Sequence, residues 1–150
     1  MSGLVSYDLF KSRLGIGNCG FTLEGGIYEM FINNTGTSIK GTIVIASESI
    51  NNAVDIAPAN SENAIGIIYE SGIPKGGLVK VVVFGKAQVL IKDGEESNSG
   101  YWCGVSNEKG RMYQLTGAPS PTLNKKKIGS SLESKASGKN MLALIQLNFN

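Results

Sequence analysis

Ile65-Gly66-Ile67-Ile68-Tyr69-Glu70-Ser71 and Ile128-Gly129-Ser130-Ser131-Leu132-Glu133-Ser134 are two versions of one pattern. Each opens on Ile-Gly, closes on Glu-Ser, and leads through a glycine-containing turn into an apolar strand. Upstream, Gly41 through Ser47 can be laid against Gly100 through Ser106. The order in both halves is strand, variable loop, Ile-Gly strand, Glu-Ser turn, final strand. This predicts a duplicated β unit, with pseudo-repeats at about residues 36–94 and 95–150. One unit leaves an apolar face bare, and a twin packed on it covers that face. Two copies are too few for a solenoid, which needs at least three repeats, so a pseudo-symmetric barrel is expected. In the repeat, Ile65, Gly66 and Glu70 are the structural equivalents of Ile128, Gly129 and Glu133.

The surrounding sequence keeps the β pattern. Gly41-Thr42-Ile43-Val44-Ile45-Ala46 is rich in β-branched residues. Leu78 to Phe84 is nearly all apolar, and Gly85 interrupts it where a bulge or bend is expected. Beyond that glycine, Ala87, Val89 and Ile91 share one face. The final strand alternates most clearly, with Met141, Ala143, Ile145, Leu147 and Phe149 on one side. Tyr101 to Val105 and Met112 to Leu115 read as shorter strands, the first carrying Trp102 as a core residue. Residues 47–63, with Pro58, read as a polar connection. Residues 116–127, with Pro119 and Pro121, read as irregular, so no helix is expected in the body. Many short strands with Gly/Pro turns place the chain in the all-β class.

Residues 1–23 differ from the rest. Tyr7, Phe10 and Leu14 fall at helical spacing, and Gly15, Gly17 and Gly20 then break any helix. The segment reads as an N-terminal arm or short helix, with residues 24–150 as the β domain. Leu4, Tyr7, Phe10 and Leu14 are its candidate docking residues.

The composition argues against most chemistry. The chain has 150 residues and no histidine, which removes the usual general base and the commonest metal ligand. Its aspartates are Asp8, Asp55 and Asp93, with no calcium loop among them. Cys19 and Cys103 lack metal-ligand spacing and are expected as buried free thiols. No phosphate loop is present, and Gly15-Ile16-Gly17 leads into strand signals rather than a helix. No catalytic residue, metal or cofactor is assigned. A Glu70/Glu133 carboxylate pair is the one enzymatic reading to weigh. Basic and acidic residues number 14 and 12, too balanced for a nucleic-acid partner. Lys125-Lys126-Lys127 reads as a solvated loop tip. Neither a signal peptide nor an apolar run of membrane-span length is expected, so synthesis is placed in the cytoplasm of the producing cell.

Several runs resemble phage head-decoration or capsid-cement proteins, some known as head-fibre proteins. They are Glu24-Gly25-Gly26-Ile27-Tyr28, Asn34 through Thr42, Ala64 through Gly72, Val89 through Gly94, Ile128 through Gly138 and Leu144 through Asn150. The likeness lies in the order and number of turn and strand patterns and spans Glu24 to Asn150. It implies a small β-barrel or tulip-like domain, a trimer on the capsid surface of the virion, and the major capsid protein as partner. It carries no catalytic residues to transfer. The rival roles are a head-fibre base or tail component, and a glycan-binding host-attachment module with Tyr101, Trp102 and Tyr113 as a stacking platform.

Overall fold

The computed structural model describes residues 19–149. They form β1 (Cys19–Phe21), β2 (Gly26–Asn33), β3 (Ile43–Ala46), β4 (Ala53–Ile56), β5 (Ala64–Ile68) and β6 (Leu78–Leu90). The second half supplies β7 (Trp102–Val105), β8 (Met112–Gln114), a short helix α1 (Pro121–Lys125), β9 (Lys127–Ser131) and β10 (Leu142–Leu147). The strand order is β1-β2-β4-β3-β5-β6-β10-β9-β7-β8, and β2 also pairs with β6. That extra pairing closes β2, β4, β3, β5 and β6 into a five-stranded ring. The all-β barrel expected from the sequence is therefore present, with a second sheet attached to it.

The two sequence echoes occupy matching places. In the first half β3 lies between β4 and β5, and β5 pairs with β6. In the second, β7 lies between β8 and β9, and β9 pairs with β10. The registers agree as well: Val44 faces Gly66, and Cys103 faces Gly129. Both pairings slip by one residue immediately afterwards, so Ile65 and Ile128 are the extra residues of two equivalent β-bulges. The neighbouring strand explains the glycine that follows each. A Cβ on Gly66 would lie 2.9 Å from the Val82 carbonyl oxygen, and one on Gly129 would collide with that of Gln146. Gly41 N donates to Ile68 O as Gly100 N donates to Ser131 O, at 2.8 Å in each case.

The halves meet asymmetrically. Inside the ring, Val44, Val54, Ile68, Val79 and Val81 form one buried cluster. On the ring's outer side Ile43, Ile67 and Val82 join a larger cluster with Cys103, Val105, Met112, Ile128, Ala143, Ile145 and Leu147 of the second half. Strands β3, β5 and β6 are thus buried on both faces, which is why they read as continuous β-branched runs rather than alternating ones.

Strand β6 serves both sheets. Leu78 to Phe84 pair with β2, and Lys86 to Leu90 pair with β10. Gly85 is the joint, with φ of 84° and a would-be Cβ 2.5 Å from Gly25 O. A bulge adjoins it. The shared core therefore takes Val82 before the joint and Ala87, Val89 and Ile91 after it, a change of parity.

Four expectations are corrected. The 47–63 connection contains β4, whose four residues complete the ring. Residues 116–127 contain α1, because Pro121 stands at the start of the helix, where a missing N–H costs nothing. Ser120 caps it, its hydroxyl accepting from Leu123 N at 3.1 Å. Trp102 lies on a strand but at its open face, 44% exposed, rather than in the core. Residues 19–21 of the expected arm form β1 and pair with β2, so a cut that spares the sheet falls at residue 18.

Gly129→Ala is expected to destabilise by more than about 2 kcal/mol, because the colliding atom is backbone and cannot rotate away. Ile128→Ala, at a fully buried position, is expected to cost about 2–5 kcal/mol. Half-buried Ile65 should cost less on the same change. Urea denaturation of the three variants measures the order.

Candidate functional site

Glu70 and Glu133 end equivalent strands. The backbone carbonyl of Glu70 accepts from Ser38 Oγ at 2.8 Å, and that of Glu133 accepts from Ser131 Oγ at 2.7 Å. The Glu133 carboxylate is engaged by Leu144 N at 2.8 Å, fastening it to β10. Neither glutamate lines the clefts beside Tyr113, Trp102, Ile56 or Ile45. Among the described residues no group of three or more His, Cys, Asp or Glu is placed to hold a metal ion. Among them, too, no helix is long and apolar enough to cross a membrane.

Cys19 and Cys103 are both free thiols. Cys103 is buried, whereas Cys19 is half-buried on the edge strand rather than fully buried as expected. Burial pushes the Cys103 thiol up from 9.0 to about 12, and its contact with Ser131 only partly opposes this. It is therefore a protonated, inert core thiol at neutral pH. The folded value lies above the unfolded one, so stability is intact below about pH 9 and falls as the pH climbs toward 12.

Arg111 ties three loops together. It reaches Asp93 at 3.1 Å, Glu108 at 3.6 Å and Asn140 Oδ1 at 2.7 Å. Its Nη1 also donates to Ile91 O at 3.3 Å. This arrangement holds the loop ends in place.

What remains is surface. The four candidate docking residues of the arm, Leu4, Tyr7, Phe10 and Leu14, lie outside the described residues. Among the exposed apolar side chains of the described surface, two sets lie together in sequence or across strands. Phe21 faces Ile27 across β1 and β2, and Ile27 faces Phe84 across β2 and β6, with exposed Leu23 close by in the chain. The second group is Tyr101 and Trp102 at the start of β7. Lys127 Nζ sits 3.9 Å from the centre of the Trp102 ring, and Lys126 Nζ sits 4.9 Å from that of Tyr113. Lys125-Lys126-Lys127 is thus the junction of α1 and β9, with two of its ammonium groups over aromatic rings, rather than a free loop tip. Sequence reasoning missed these pairs because strand register, and not local spacing, brings the partners together: Trp102 lies opposite Ser130, and Gly104 opposite Lys127.

No protein-family model matches the sequence, and no curated protein is significantly similar to it. Solved structures do match. The N base of the head fibre gp8.5 of bacteriophage phi29 superposes with a TM-score of 0.58 at 13% identity, over 82% of this chain and 94% of that one. A chain from the capsid of Myoviridae phage XM1 superposes with a TM-score of 0.57 at 18% identity, over 89% and 91% respectively. This chain has the fold of these phage head components. The all-β architecture implied by the sequence resemblance is therefore found in that class of structure.

In native protein, Cys19 is expected to react with a thiol reagent while Cys103 reacts only on unfolding. Mass spectrometry after timed labelling separates them. Above pH 9 the stability of the native chain should decline through Cys103, and Cys103→Ala should flatten that decline.

Proposed function

We propose that this chain is a non-enzymatic structural protein of a phage particle that decorates and stabilises the outer surface of the head shell. The observation that carries the reading is its likeness, over nine-tenths or more of their length, to the phi29 head-fibre base and the XM1 capsid chain. The resemblance of its turn and strand runs to head-decoration proteins supports the same reading. So does the Glu133 carboxylate, which accepts from Leu144 N and so fastens its turn to β10.

The action is mechanical. A head filled with DNA is under outward pressure. A protein that binds the expanded shell in preference to other states stabilises it by mass action, about 1.4 kcal/mol for each tenfold excess of free concentration over Kd. Association as a trimer makes the attachment multivalent, so weak single contacts add up to retention. The partner is the major capsid protein, and residues 1–18, with Leu4, Tyr7, Phe10 and Leu14, are the shell-facing arm. Synthesis in the host cytoplasm precedes assembly onto the virion. A second reading, the base of a head fibre, is favoured by the phi29 match, which spans nearly all of that base. It keeps the attachment to the shell and adds a fibre beyond it.

The test is co-sedimentation of the purified chain with heads assembled without it. Saturable binding, and a higher temperature of DNA release, are expected. Removal of residues 1–18 should weaken binding at least tenfold while leaving the far-ultraviolet circular dichroism unchanged. Full binding by the truncated chain contradicts the role of the arm, and no binding by the full chain contradicts decoration itself.

A further inference from the structure

The two halves treat one face differently. In the first half, Ile43, Ile67 and Val82 lie opposite one another across β3, β5 and β6, all at 0–1% exposure under the second half. The equivalent row in the second half is Trp102, Ser130 and Gln146, across β7, β9 and β10. Among the described residues no further sheet covers this row; only its tryptophan end is flanked, by Lys127, Leu115 and α1. Ser130 and Gln146 are what a solvated face requires. Trp102 is not: the position equivalent to a fully buried isoleucine holds the one tryptophan of the chain, 44% exposed beneath the Lys127 ammonium. Burial of such a side chain contributes about 1.5–3 kcal/mol, and folding leaves much of that ungained.

A cleft of about 140 Å³ opens beside the ring. Capped by Ser120, α1 sets Leu123 and Asn124 against it, Leu115 supplies a further apolar wall, and Lys127 stands at the indole face. No carboxylate lines the cleft. Lys126 adds a second positive charge over Tyr113, its Nζ also reaching Asn60 Oδ1 at 3.3 Å. An apolar wall and an ammonium that has the indole ring but no carboxylate beside it, within one small cleft, suit a ligand with an apolar face and a negative charge. The dimensions fit one sugar ring. A protein partner needs a patch of about 800 Å² per side.

We propose that the Trp102–Lys127 cleft is a binding site for an acidic saccharide, a pyranose carrying a carboxylate or phosphate, such as a cell-surface polymer presents. The sugar's C–H face rests on Leu115, Leu123 and the part of the indole that Lys127 leaves exposed, and Lys127, at the edge of the cleft, pairs with the anion. Exposed as it is, the ion pair weakens with salt. The site is independent of the attachment to the shell.

Trp102 is its own reporter. Full-length protein is titrated with oligogalacturonate, with a glycerol-phosphate sugar polymer and with a neutral oligosaccharide of equal length, following tryptophan emission. Saturable change with one or both acidic probes is expected, identifying carboxylate or phosphate as the anion, with the neutral probe at least tenfold weaker. Lys127→Ala should weaken acidic binding at least tenfold, Lys127→Arg should restore most of it, and both variants should sediment with heads like the native chain. No saturable change with either acidic probe overturns the proposal. So does equal binding by Lys127→Ala, or loss of head binding in that variant, which would make this face part of the shell contact. Failure of native protein to bind heads, with saccharide binding intact, would instead count against decoration alone.

Discussion

The apolar row Ile43–Ile67–Val82 on the outside of the five-stranded ring cannot remain in water, and the rest of the architecture follows from covering it. Three such side chains account for about 5–9 kcal/mol of transfer free energy, comparable with the whole stability of a domain. The cover is the second half's sheet, whose inner residues Cys103, Val105, Met112, Ala143 and Ile145 enter the same cluster. Edge pairing of β10 on β6 fixes the height of that sheet, and the joint at Gly85 turns β6 so that one strand can belong to both. The stacking is inner face on outer face, so it cannot close on itself. One outer face is left over, and on it stands Trp102.

The sequence discloses the parts that depend on pattern. Ile-Gly recurs because a bulge residue followed by a residue without Cβ is the local solution wherever this unit is built. Residues 141–149 alternate because β10 has one wet face and one dry one. The parts that depend on register are hidden. Ala53-Val54-Asp55-Ile56 is too short to stand out among Asn, Ser and Pro, and becomes a strand only because β2 and β3 flank it. Pro119 and Pro121 read as breakers, although Pro121 follows a serine cap at the one place where a helix accepts it. Tyr101 to Val105 looks uniformly apolar, so its sequence alone does not say which side of the strand is open. The Lys–aromatic pairs of the candidate site belong to β7, β8 and the α1–β9 junction, and only the folded sheet juxtaposes them.

The same distinction explains why the fold coincides with phage head components at 13% and 18% identity. The ring and its cover ask for β-branched side chains in runs where both faces are buried and at alternating positions where one is, for glycine where strands approach closely, and for little else. Buried hydroxyls take up the few polar obligations: Ser97 and Ser131 bond to each other at 2.8 Å, and Ser38 serves the equivalent place in the first half. Such requirements constrain residue class at many positions and residue identity at few. A body of this kind suits the proposed role, in which the chain has to stay attached to a shell under load.

A protein that decorates the shell must lie over the heads of the particles. Gold-labelled antibody against this chain, applied to purified virions of the phage that encodes it and viewed by electron microscopy, tests it most directly. Dense label distributed over the heads is the predicted result. Label confined to tails, or absent from intact particles that contain the chain, would contradict it.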